Sequence, residues 1–139
     1  LEQSQLYERL SYQAHYDALT ALPNRTLFHH ELSGALRNCR YGSQRMAVLW
    51  LDMDRFKQVN DSLGHRIGDS LLKLVAARLR QNVRAGDLVA RVGGDEFVLL
   101  LQDLPDADTA LRIAEKLVAA FEVPFQLPDQ ELVLSASIG

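Results

Sequence analysis

With 139 residues, 47% of them hydrophobic and 24% charged, the chain has the size and composition of one soluble domain with its own core. A formal net charge of −3 argues against extensive nucleic-acid binding and leaves room for a small phosphorylated ligand that arrives with a metal ion. The single cysteine, Cys39, excludes an internal disulfide and fits a reducing cytoplasm, and the longest apolar run, Met46–Leu51, is far short of the roughly 20 residues of a membrane helix.

The chain starts without an initiator methionine or a signal-peptide pattern, so it is expected to come from a longer protein. Residues 1–16 read as a helix, with Leu6, Leu10 and Ala14 at four-residue steps. That stripe is thin, so the helix is expected to continue an upstream one as a signalling linker. Pro23 and Asn24 mark a turn and the start of a second helix, which reaches about Arg40 with Phe28, Leu32, Ala35 and Leu36 on its apolar face. Met46–Leu51 predicts a strand buried on both faces that stops abruptly at Asp52.

Further on, Leu71, Leu72, Val75, Ala76 and Leu79 predict a helix over 69–81, with Asp69 as its N-cap. Val89–Val92 and Phe97–Leu101 read as a hairpin around Gly93-Gly94-Asp95-Glu96. A helix over 108–121 follows, and then a second hairpin from Val123-Pro124-Phe125 to Leu132–Ile138. The order β-α-β-β-α-β predicts an α+β, ferredoxin-like antiparallel sheet with helices on one face.

The chemistry is expected where the strands end. Adjacent strands lie about 5 Å apart, so Asp52 and the turn acids Asp95 and Glu96 can share one cation; equally, acids in a turn can be turn residues and nothing more. Gly93 and Gly94 allow positive φ and close backbone approach, and a tight turn with free N–H groups can cradle phosphate. Asn60 and Asp69 supply the amide and carboxylate that would match guanine O6 and N1–H/N2–H2, and Lys57 is a point charge for phosphate. His65 is expected to be structural.

Arg91-Val92-Gly93-Gly94-Asp95-Glu96-Phe97 resembles the signature of the GGDEF domains, the diguanylate cyclases, whose fold is nucleotidyl-cyclase-like. Asp17-Ala18-Leu19-Thr20, Leu22-Pro23-Asn24-Arg25, Leu51–Lys57, Asn60-Asp61, Gly64-His65, Gly68-Asp69 and Ser137-Ile138-Gly139 are similar to that family's landmarks in order and spacing. The resemblance implies Mg²⁺ or Mn²⁺ on Asp52, Asp95 and the Met53 carbonyl. It implies Glu96 at the reacting 3′-hydroxyl, guanine read by Asn60 and Asp69, and phosphates held by Phe56, Lys57, Gly93 and Gly94, with Lys57 and Asp95 contributing to catalysis.

It also implies a product-inhibition site at Arg84 and Asp87 with Lys116 as the second cation; the bland alternative is a solvated ion pair at a helix end. Members continue past the Ser-Ile-Gly strand, so residues 17–139 are expected to be a GGDEF domain whose C-terminal part is absent. The partners so implied are GTP, cyclic di-GMP, a second copy of the domain, an upstream sensor and, in tandem proteins, a downstream phosphodiesterase domain. Two other readings compete with an active cyclase: a GTP- or cyclic di-GMP-binding regulatory module of a tandem cyclase/phosphodiesterase protein, and a purely structural interaction domain.

Overall fold

The structure, a computed structural model, describes residues 2–42 and 44–139; Leu1, the first residue of the predicted N-terminal helix, lies outside them. Helix α1 (Glu2–His15) precedes α2 (Arg25–Tyr41), which Asn24 caps by accepting the Leu27 N–H at 3.1 Å. Strand β1 (Arg45–Met53) leads to α3 (Phe56–Leu63) and α4 (His65–Gln81), then β2 (Leu88–Arg91) and β3 (Glu96–Leu104). Helix α5 (Ala107–Phe121) is capped by Asp106, and β4 (Phe125–Leu127), β5 (Gln130–Leu132) and β6 (Ala136–Ile138) complete the chain. Among the described residues no helix is long and apolar enough to cross a membrane.

One antiparallel sheet runs in the order β2-β3-β1-β6. Leu71, Leu72, Val75 and Leu79 of α4, with Leu117 and Phe121 of α5, pack on Leu49, Leu51, Phe97, Leu99 and Leu101 to make the main core. The opposite face is not bare, as a one-faced arrangement would have it. Phe28 and Ala35 of α2 cluster with Ala90, Val98 and Leu100. Strand β3 is therefore buried on both faces, and Phe97 to Leu101 are all fully buried.

Strand β1 departs from its predicted double burial. Leu49, Leu51 and Met53 point into the core, while Val48 and Trp50 are 37% and 40% exposed. Period-two alternation sets this pattern, because α2 clusters with β2 and β3 residues and leaves the side chains at 48 and 50 uncovered.

The expected second hairpin splits. Strands β4 and β5 form their own two-stranded sheet, and β6 instead pairs with β1 through Leu51↔Ile138, Asp52↔Ser137 and Met53↔Ala136. Asp54 clamps the join: its N–H donates to the Ser135 carbonyl at 3.0 Å, and its carboxylate accepts from the Ser135 and Ser137 hydroxyls at 2.7 and 2.8 Å. Those hydroxyls, Ser135 first, hold the Asp54 carboxyl below the usual range.

Arg78 on α4 ties the small sheet to the core. Its guanidinium donates to the carbonyls of Ala120, Val123 and Pro124 and lies 3.6 Å from the Phe125 ring centroid. It thereby satisfies the end of α5 and the entry to β4 together. Arg78→Ala should destabilise the domain by about 2 kcal/mol in urea denaturation. Arg78→Lys should recover less than half of this, because an ammonium lacks the planar fork that serves several carbonyls. Equal stability of the parent and the alanine variant would refute the assignment.

Candidate active site

The acids are gathered by strand register. Asp52 lies near the end of β1 opposite Glu96, the first residue of β3, and Asp95 precedes Glu96 in the loop. One carboxylate oxygen from each of Asp52, Asp95 and Glu96 lies within 4.8 Å of the others. An all-oxygen set of this kind suits a hard divalent cation. The Met53 N–H donates to the Asp95 carbonyl at 3.4 Å, tying the end of β1 to the loop, while the Met53 side chain is buried.

The two loop glycines serve different needs, and neither takes positive φ. A Cβ on Gly93 would meet Glu96 Oε2 at 3.1 Å and Glu96 Cβ at 3.3 Å, so a bare residue there leaves room for that carboxylate. A Cβ on Gly94 would meet nothing within 4 Å, which leaves the loop open to solvent. Positive φ belongs instead to Gly64, at +90°, where the chain breaks between α3 and α4.

That break corrects the prediction for the following segment. Residues 56–63 form α3, and α4 starts at His65, so Asp69 lies inside a helix and is not its N-cap. Phe56, Val59 and Leu63, at helical spacing, were the overlooked signal. The Phe56 ring is buried in the core, so only its backbone is free to meet a ligand. No side chain caps the start of α3, whose N-cap Arg55 takes a left-handed conformation (φ 63°). The start of α3 thus has no side-chain acceptor for its first N–H groups and has exposed Lys57 in its first turn, an arrangement that can accept an anion. Asn60 on α3 is half-buried against α4, and Asp69 on α4 is exposed.

Arg91 and Asp17 were present in the motifs without an assigned role. Arg91 donates to both Asp17 oxygens at 3.1 Å and to the Gly94 carbonyl at 3.2 and 2.9 Å. Arg25 donates to the Val92 carbonyl, and the Arg91 N–H to the Pro23 carbonyl. The segment between α1 and α2 thus holds the glycine loop from behind. Burial alone would raise the Asp17 carboxyl, but hydrogen bonds from Thr20 and Arg91 outweigh it and leave the group below its ordinary range.

A lowered folded-state pKa stabilises the fold above the unfolded value of about 4 and is lost as pH falls through the folded value. Asp17→Asn should therefore melt earlier than the parent at pH 7, and the gap should shrink by pH 3. A gap that is the same at both pH values would show that the charge of Asp17 contributes nothing.

The residues of the expected inhibitory site lie apart from the acids, at the turn before β2. Arg84 donates to Asp87 through Nε and a terminal nitrogen at 3.1 and 3.0 Å, and to the Gln102 carbonyl at 2.6 Å. The Asp87 side chain is 1% exposed and also accepts the Arg84 and Gln102 N–H groups. A cleft of about 360 Å³ beside them is lined by Tyr16, Pro23, Arg80, Arg84 and Asp87; Lys116, exposed on α5, is not part of it. A wider cleft of about 720 Å³ lies between α3 and the β5–β6 connection, lined by Gln58, Ser62, Leu134 and the already paired Asp54. It does not include the acid cluster.

Comparison with known proteins gives one consistent result. The family described as "Diguanylate cyclase, GGDEF domain" matches residues 14–139. The chain is 48% identical over 131 residues to diguanylate cyclase TpbB of Pseudomonas aeruginosa, covering 94% of this chain and 30% of that protein. It is 50% identical over 124 residues to the bifunctional diguanylate cyclase/cyclic di-GMP phosphodiesterase MucR of the same organism, covering 89% and 18%. A solved structure comprising only the GGDEF domain of TpbB superposes with a TM-score of 0.87 at 47% identity, covering 90% of this chain and 73% of that one. The chain thus spans less than a third of the length of these two curated relatives.

Proposed function

The chain belongs to the diguanylate cyclase GGDEF domain family, and on that premise we propose that it condenses two GTP molecules into cyclic di-GMP. The observation that carries the reading is the gathering of Asp52, Asp95 and Glu96 within 4.8 Å, beside an open glycine loop. The 3′-hydroxyl oxygen of each GTP bonds to the α-phosphorus of the other, and the bond to the β-phosphate breaks, so two pyrophosphates leave. Positioning and charge neutralisation do most of the work in such a transfer.

Each residue has a part in this proposal. Asp52, Asp95 and the Met53 carbonyl hold Mg²⁺ or Mn²⁺, which when bound neutralises triphosphate charge and lowers the hydroxyl's pKa. Glu96 receives the proton of the 3′-hydroxyl. The backbone at Phe56, Gly93 and Gly94, with Lys57, holds the phosphates, and Asn60 and Asp69 read guanine. One domain carries one GTP, so two domains meet across a two-fold axis. Helix α1 relays an upstream sensor's state into that pairing, and the reaction is placed in the cytoplasm. Cyclic di-GMP inhibits at Arg84 and Asp87, with Lys116 as a second cation; Arg84 swinging off Asp87 would release one acceptor position on each oxygen, while the backbone N–H groups of Arg84 and Gln102 stay bound.

A second reading, a GTP- or cyclic di-GMP-binding module beside a phosphodiesterase domain, draws support from the likeness to MucR, whose name joins both activities. Incubating the full-length protein with GTP and Mg²⁺, followed by chromatography, decides between them. Cyclic di-GMP is the expected product. Binding of GTP without product would favour the second reading.

A further inference from the structure

Position 68 breaks a local rule. It lies inside α4, where alanine is the better helix former, and its φ is not in the left-handed region, so the backbone does not demand glycine. A conflict of this kind between local propensity and the residue present points to a demand from elsewhere in the structure. Here that demand has one identifiable source. A Cβ on Gly68 would fall 1.8 Å from Asn60 Oδ1 and 2.9 Å from Asn60 Cγ, with Phe56 Cζ next at 3.4 Å.

The first two distances lie inside van der Waals contact, while the third is an ordinary approach. Since the side-chain amide of Asn60 occupies that space, close packing of the two helix backbones is not the cause. Gly42 and Gly93 would each meet a neighbour at 3.1 Å, and Gly64, Gly86 and Gly94 nothing within 4 Å, so a contact under 3.0 Å is particular to position 68.

We infer that Gly68 is a positioning residue for base recognition: its bare backbone is the seat on which the Asn60 amide lies, one residue before Asp69 in α4. The inference rests on the proposed guanine-reading role of Asn60 and Asp69. The amide can donate to O6 while the neighbouring carboxylate accepts from N1–H and N2–H2 of the same base edge. Filling the seat would push the amide off α4 and separate the two groups. Asp52, Asp95 and the phosphate-binding backbone would stay in place, so the effect should fall on the base and spare the triphosphate.

A double-mutant cycle on the full-length protein tests this, using calorimetry with Mg²⁺ and non-reacting analogues of GTP and ATP. Gly68→Ala should weaken GTP-analogue binding about tenfold, the scale of one lost recognition hydrogen bond, and change ATP-analogue binding less than about twofold. In an Asn60→Ala background the two nearest clashing atoms are gone, so adding Gly68→Ala should cost no further affinity. It should also raise the melting temperature there, as an added helix former does.

If Gly68→Ala fails to fold alone but folds with Asn60→Ala, the steric link stands. If Asn60→Ala loses the preference for guanine and Gly68→Ala keeps it, the positioning role is wrong and the guanine reading survives. If Asn60→Ala itself keeps the preference, the guanine reading fails and takes this inference with it. Equal weakening of both analogues by Gly68→Ala would mark it as a structural residue only.

Discussion

Asp95→Ala should lower turnover by about 100-fold or more, on the order of 3 kcal/mol of transition-state stabilisation. Asp95, Asp52 and Glu96 place three carboxylates within 4.8 Å, and among the described residues the Asp95 and Asp52 side chains accept no hydrogen bond that would offset their repulsion. Three like charges this close are expected to weaken the fold, and under the proposed function a bound cation would offset that effect. Two effects should therefore move in opposite directions. Asp95→Asn should melt at or above the parent's temperature without metal, while losing turnover and the stabilisation that added Mg²⁺ gives the parent. Initial velocities of cyclic di-GMP formation and melting curves with and without Mg²⁺ check both halves. Near-normal turnover by Asp95→Ala at saturating Mg²⁺ would overturn the metal assignment.

GTP should bind more tightly than ATP by about 100-fold, and Asp69→Ala should remove most of that margin. Adenine offers a donor where guanine has O6 and an acceptor where guanine has N1–H, so two recognition contacts mismatch at once. Each unmet polar contact costs roughly 1–3 kcal/mol. Calorimetry with the two nucleotide analogues measures the margin directly. Comparable affinities would exclude Asn60 and Asp69 as base readers, whatever the turnover.

Chain order and local chemistry were enough for the acids. A strand read from Met46–Leu51 that stops at Asp52, and a hairpin whose turn holds Asp95 and Glu96, already predict carboxylates at neighbouring strand ends. The observed register Asp52↔Glu96 agrees with that expectation. The apolar spacing of 71–79 predicts α4, but the helix starts at His65, just after the glycine at 64, and 56–63 form a helix for which the pattern predicts no element. Eight residues with Phe56 buried, Val59 packed against the core and Leu63 exposed make a weak periodic signal beside a strong motif.

What the sequence by itself determined, then, is the family, the α+β class and the identity of the acids, because these rest on residue type and spacing along the chain. Tertiary structure alone decided which strands meet and what each loop residue contacts. The pairing of β6 with β1 and not β5 is accompanied by Asp54 meeting Ser135 and Ser137, contacts invisible to a pattern that reports a strand without its neighbour. Arg91 finds Asp17 across 74 residues, Asp87 turns inward to Gln102, and Gly68 is bare because Asn60 lies on it. The first two join segments 74 and 15 residues apart and the third joins consecutive helices, so each contact's energy exists only once the intervening chain has closed.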